Sequence, residues 1–143
     1  MRLSRFILVV IALVLLVRQA GAQTFSIADE SAYSKDRGHG FDLGTKPDGD
    51  KPWSFSVSLP EGNYNIMLLL GDRKDASETT VKAESRRLML ENIKTEPGNV
   101  QVRTITVNIR TPDIAGGGGQ VKLKPRENGV LHWDDKLGIR VRK

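Results

Sequence analysis

A chain of 143 residues, 38% of them hydrophobic, is the size of one domain and can bury an ordinary core. It has no cysteine, which excludes a disulfide scaffold, and two histidines without cysteine are too few for a zinc site. The formal charge of +5 does not point to nucleic acid: Arg2, Arg5 and Arg18 fall within the first 22 residues, and beyond them both signs are scattered with a balance of +2.

Met1 to Ala22 reads as an export signal. Arg2 and Arg5 form a basic start, Phe6 to Val17 an apolar core too short for a membrane span, and Ala20-Gly21-Ala22 a set of small residues suited to cleavage after Ala22. The rival, an uncleaved anchor, is disfavoured by the short apolar run. The expectation is therefore a secreted or periplasmic protein, with no membrane contact after cleavage and with residues 23–143 as its single domain.

In chain order, the strongest pattern is "WSFSVSL", where Trp53, Phe55, Val57 and Leu59 alternate with serines as a strand with one buried face does. "PEGN" follows as a turn. "YNIMLLL", Tyr64 to Leu70, is nearly continuous in apolar residues and predicts a strand covered on both faces. Further strands are predicted over Thr79–Ala83, Arg86–Ile93, Val102–Arg110, Val121–Lys124 and Leu137–Arg142, the last with Leu137, Ile139 and Val141 inward. Gly116 to Gly119 lack the Gly-Lys-Ser/Thr and helix of a phosphate loop and read as a flexible hairpin loop. Short strands at regular spacing, with no helical period, predict an all-β fold, an antiparallel β-sandwich. Its expected core includes Phe55, Val57, Leu59, Ile66, Leu68, Leu88, Ile105, Val107, Ile139 and Val141.

Hydrolytic chemistry finds little footing. "LGDRKD", Leu70 to Asp75, resembles the Gly-Asp-Ser start of an SGNH (GDSL-type) hydrolase, but Arg73 stands where the nucleophile belongs, so Gly71 and Asp72 read as a strand end and turn. Asp134 and Asp135 are adjacent, so on an extended backbone they face opposite ways and cannot form a glycosidase pair together. The acids Asp29, Glu30 and Asp135, and the "DGD" at Asp48 to Asp50, supply hard oxygens of the kind Ca²⁺ takes. A structural Ca²⁺ is the one cofactor left open, against surface charge and a solvated turn as the plainer reading.

A further set suits sugar recognition, which needs apolar platforms beside hydrogen-bonding groups. Tyr33 and Trp133 are the candidate platforms, with Arg86, Arg87 and Asp134 as polar partners and Asp135 and Asn108 as further ones. Trp53 and Tyr64 sit on periodic strands and read as core, while Trp133 suits a core position and a ligand platform equally.

The segments "AYSKDRGHGFDLGT", "FSVSLPEGNYNIMLLLGD", "TTVKAESRRLMLE", "RTITVNIRTPDI" and "VLHWDDKLGI" resemble the N-terminal β-sandwich domain of rhamnogalacturonan acetylesterase-like proteins of the SGNH hydrolase superfamily. The resemblance runs from Tyr33 to Val141, and "KAESRRLML" and "VLHWDDKL" are its most specific pieces. It implies a galactose-binding-like jelly roll, a non-catalytic accessory role, and as partners either a plant-type polysaccharide such as pectin or a GDSL-type esterase domain. By the same resemblance Asp135 takes the place of an acid that precedes the last strand in several such modules. Two departures stand out. Only "QTFSIADES" precedes the Tyr-Ser-Lys motif where the family has an earlier Phe-Asp-Phe-Gly strand, and no esterase domain follows the last strand, so the chain is expected to be a fragment or truncated relative of a larger secreted esterase. Two functions follow as expectations: a carbohydrate-binding-like accessory module of a pectin acetylesterase-type protein, or a purely structural domain packed on such an esterase without binding glycan. An independent hydrolase comes third.

Overall fold

The computed structural model describes residues 10–14, 22–84, 86–122, 124–127 and 134–143, the first of these stretches in its backbone alone. Nine strands are described: β1 (Val10–Val14), β2 (Gln23–Ser26), β3 (His39–Asp42), β4 (Trp53–Ser58), β5 (Gly62–Gly71), β6 (Ser77–Ala83), β7 (Arg87–Thr95), β8 (Val100–Ile109) and β9 (Lys136–Arg142). They form a four-stranded sheet in the order β2-β1-β5-β8 and a five-stranded sheet in the order β3-β4-β9-β6-β7. Neighbouring strands in both are antiparallel.

The two sheets pack face to face into an antiparallel β-sandwich. Tyr64, Ile66, Leu68, Leu70, Ile105, Val107 and Ile109 line the inner face of the first sheet. Trp53, Phe55, Val57, Val81, Ala83, Leu137, Ile139 and Val141 line that of the second, and all belong to one core. Phe55 is fully buried, and the rings of Phe25 and Phe41 lie 5.6 and 5.9 Å from its own. The period-2 alternation of the sequence thus places one face of each strand in a shared apolar layer.

The turn after β4 does more than reverse the chain: β4 and β5 belong to different sheets, so Leu59 to Glu61 carries the backbone from one layer to the other. The Tyr64 hydroxyl donates to the Pro60 carbonyl at 2.6 Å and holds this corner. At the end of β5, a Cβ on Gly71 would stand 2.2 Å from the Asn99 carbonyl oxygen, so only glycine allows that approach. Asp72 then takes the amides of Lys74 and Asp75 on its Oδ1, at 2.9 and 3.2 Å, making the turn expected there.

Three expectations are corrected. Leu88 is 49% exposed and not in the core. The β6–β7 register shifts twice, between Thr79 and Val81 and between Val81 and Lys82, so that Leu88 pairs with the outward Lys82 while Ile93 and Leu90 pair with the inward Thr79 and Val81. β5 is not covered on both faces: Asn65, Met67 and Leu69 are only half-buried, because the second layer of the sandwich packs on the opposite face. The strand expected over Val121–Lys124 is not formed, its described residues Val121, Lys122 and Lys124 being exposed and outside the strands. The Val121 amide donates to the Pro112 carbonyl at 2.8 Å, but Pro112 has no N–H to return, so a ladder cannot propagate. The glycine run does close a small hairpin, with the Ile114 amide on the Gly119 carbonyl at 2.8 Å.

Candidate functional site

The outer face of the five-stranded sheet gathers the polar chemistry. Its register builds one row across all five strands: Asp42 pairs with Ser54, Ser54 with Arg140, Arg140 with Lys82, and Lys82 with Leu88. Paired residues on an antiparallel ladder share a face, about 5 Å apart at Cβ. The row divides the face into an acidic corner at the β3–β4–β9 side and a basic groove over β9, β6 and β7.

In the corner, Asp42 is held on several sides. Its Oδ2 accepts from Ser56 Oγ at 2.8 Å and from Lys136 Nζ at 3.1 Å, and its Oδ1 from the Leu43 amide at 2.7 Å. Burial pushes its carboxyl up, but these hydrogen bonds and the Lys136 charge outweigh that and leave it below the usual carboxylate range. For Lys136 burial pulls the other way, and the Asp42 contact with the Asp134 charge leaves it raised.

Of the sequence-predicted residues, Tyr33, Glu30 and Asp134 border this corner. Tyr33 lies in a depression of about 450 Å³ with Phe41 and Asp42, and Lys136 Nζ stands 4.8 Å from its ring centre, so one ring face is already taken by a cation. Asp134 accepts the Lys136 amide at 3.1 Å, and its carboxyl is pushed up chiefly by burial, with the Asp135 and Asp42 charges adding. Arg86 and Arg87 are exposed at the start of β7, with Arg87 within electrostatic reach of Glu84. Trp133 lies outside the described residues, as does the side chain of Asp29. Glu30 sits 3.4 Å from the His39 ring, and Asp135 serves through its carbonyl, which accepts from the Leu59 amide at 3.0 Å. Among the described residues no three acids or histidines gather as a metal site.

Glu84 was not singled out by sequence. It follows β6 with φ of 49°, and the β6–β9 ladder continues through it: its amide donates to the Gly138 carbonyl at 2.9 Å, while its own Oε1 accepts the Gly138 amide at 3.0 Å. Only 6% exposed, the carboxyl is pushed up to about 7 by burial, which the Gly138 amide and Arg87 only partly offset.

The basic groove, about 810 Å³, is lined by Lys82, Arg140 and Arg142 together with Thr80, Asn92 and Leu88. At its rim Glu78 pairs with Lys94 at 3.6 Å and Lys143 with Asp72 at 3.5 Å. Among the described residues, Lys82, Arg140 and Arg142 take part in no ion pair or side-chain hydrogen bond, and Glu91 is the acid left near them. Lys82 and Arg140 stand directly opposite one another, an arrangement of like charges that weakens a sheet. Gly138, with nothing among the described residues within 4 Å of where its Cβ would be, leaves a notch beside this pair, between Lys136 and Arg140 along β9.

The face can therefore attract and orient an anion. The alternation in the last strand already put Lys136, Arg140 and Arg142 on one face. That Lys82 lies opposite Arg140 depends on a register between strands far apart in sequence. The chain matches no protein-family model, no curated protein and no solved structure.

Proposed function

We propose that this chain is a secreted, non-catalytic carbohydrate-binding module for acidic polysaccharide of the pectin class, accessory to an acetylesterase-type protein. The observation that carries the reading is the trio Lys82, Arg140 and Arg142 on the outer sheet face, without an ion-pair partner among the described residues and with Lys82 opposite Arg140. Like charges at directly opposed strand positions cost stability, and an anion laid across them turns that repulsion into attraction. A uronate-bearing chain supplies carboxylates at intervals along an extended polymer, and the groove carries its cations on two neighbouring strands, Lys82 on β6 and Arg140 and Arg142 on β9. Thr80 and Asn92, already hydrogen-bonded to each other at 3.4 Å, offer hydroxyl and amide partners to a sugar rim.

Affinity electrophoresis in gels containing polygalacturonate, rhamnogalacturonan or neutral galactan tests it. Retardation is expected in the two acidic gels, weakening with salt as exposed charge pairs do. Lys82→Ala and Arg140→Ala should each abolish most of it, and Lys94→Ala should not. Equal migration in all three gels sinks the proposal.

One observation favours the alternative of a structural domain packed on an esterase. Val100 and Val102, 46% and 52% exposed, adjoin Leu69 and Met67 on the outer face of the other sheet, an apolar surface suited to protein contact. Migration unaffected by every glycan, together with co-purification with an esterase domain, would select that alternative.

A further inference from the structure

The strand Val10–Val14 pairs with Ser26 to Gln23 of β2 through four positions and with Leu69 to Asn65 of β5 through five. Among the described residues it is the strand that joins them into one sheet, the order being β2-β1-β5-β8. Yet the same residues form the apolar heart of the segment that reads as an export signal. Cleavage after Ala22 would remove an inner strand, not an appendage.

What remains cannot simply close. β2 and β5 flank a gap of two strand spacings, about 9.6 Å. β2 is pinned by Phe25, which is 6% exposed with its ring 4.8 Å from His39 and 5.6 Å from Phe55, and it leads directly into Ile27, which is 3% exposed. Sliding β2 onto β5 would pull both residues from the core. Left open, the gap would leave one hydrogen-bonding edge of Asn65–Leu69 bare beside the fully buried Ile66 and Leu68.

We infer that the processed chain is a strand acceptor: the slot between β2 and β5 takes one extended, uncharged aliphatic segment of about five residues from a partner protein, running antiparallel to both strands. Positions opposite Ile66 and Leu68 share their inward face, so the guest must place aliphatic side chains there. A second copy of the chain is a poor donor. Outside the signal its one five-residue uncharged aliphatic run is Ile66 to Leu70, which lies in β5 and is already paired with β8. The apolar outer surface at Met67, Leu69 and Val102 continues the slot and suits the same partner. The inference rests on reading residues 1–22 as a cleaved signal and is independent of glycan binding.

The test is export of the full chain from cells, mass determination of the product, and amide exchange with and without a synthetic peptide covering residues 9–15 between flanking lysines. The expected product begins at Gln23. Those amides of Asn65–Leu69 not bonded to β8 should exchange fast alone and at least tenfold more slowly with the peptide, with a raised melting temperature, and a peptide carrying Ala12→Pro should do neither. If the exported chain is recovered only as aggregate, the first peptide and not the second should restore soluble protein on refolding. The inference is overturned by a product that retains residues 10–14, by β5 amides protected without peptide in a monomer or a dimer, or by a peptide that neither protects nor rescues. Gel retardation by acidic glycan is scored separately on the same product, so either reading can fail alone.

Discussion

Removing the ionisable proton of Glu84 while keeping its shape should change how stability depends on pH. Its carboxyl is pushed up to about 7 from an ordinary 4.5 by burial, which the hydrogen bond from the Gly138 amide only partly offsets. A folded-state pKa above the unfolded one means the folded chain holds the proton more tightly. The group's contribution is complete below about pH 4.5, falls as pH rises towards 7, and is constant above that. At 1.36 kcal/mol per pH unit, the loss between pH 5 and pH 8 is about 2.5 kcal/mol at most. Glu84→Gln keeps an oxygen to accept the Gly138 amide and cannot ionise, so the variant should lack this loss. Urea unfolding at pH 5, 6, 7 and 8 should show the variant within about 0.5 kcal/mol of the native chain at pH 5 and more stable by about 2 kcal/mol at pH 8. Asp134, also raised and lying close by, is the control: in an Asp134→Asn background the Glu84→Gln difference between the two ends should persist. Parallel pH curves for the native chain and Glu84→Gln would refute the assignment of a buried, proton-retaining carboxyl.

The corrected position of Leu88 predicts that Leu88→Ala changes stability by about 0.5 kcal/mol or less, while Leu68→Ala, at a fully buried site, costs about 2–5 kcal/mol in the same urea titration. Gly71→Ala should be among the most destabilising single changes, by about 3 kcal/mol or more, because its methyl group meets the Asn99 carbonyl; calorimetry showing an unchanged melting temperature would contradict that close approach. Tyr64→Phe removes the hydroxyl bond to Pro60 across the sheet-to-sheet corner and should cost about 1 kcal/mol in thermal melting without altering the circular dichroism spectrum. Lys82→Thr relieves the opposed like charges and should raise stability by a few tenths of a kcal/mol at low salt while weakening retention in acidic gels, two readouts with opposite signs from one substitution.

Sequence periodicity alone determined the class of fold and most of its core, because a strand alternates faces every residue whatever it pairs with. Phe55, Val57, Ile66, Ile105, Val107, Ile139 and Val141 are buried as their alternation demands, and Trp53 and Tyr64 with them. Local chemistry was legible too: Gly71 and Asp72 end a strand in a turn, and the glycines at 116–119 close a hairpin. Pairing decided the rest. Two register shifts on β7 turned Leu88 outward, and Pro112 denied Val121 a ladder, neither of which alternation within one strand can reveal. The candidate site divides the same way. Tyr33, Arg87 and Asp134 were visible as residues of the right chemistry, but what they face is set by Asp42, Glu84 and Lys136, whose neighbours come from other strands. Lys82 and Arg140 are 58 positions apart in the chain, and they become one basic row because the β6–β9 register sets them opposite each other.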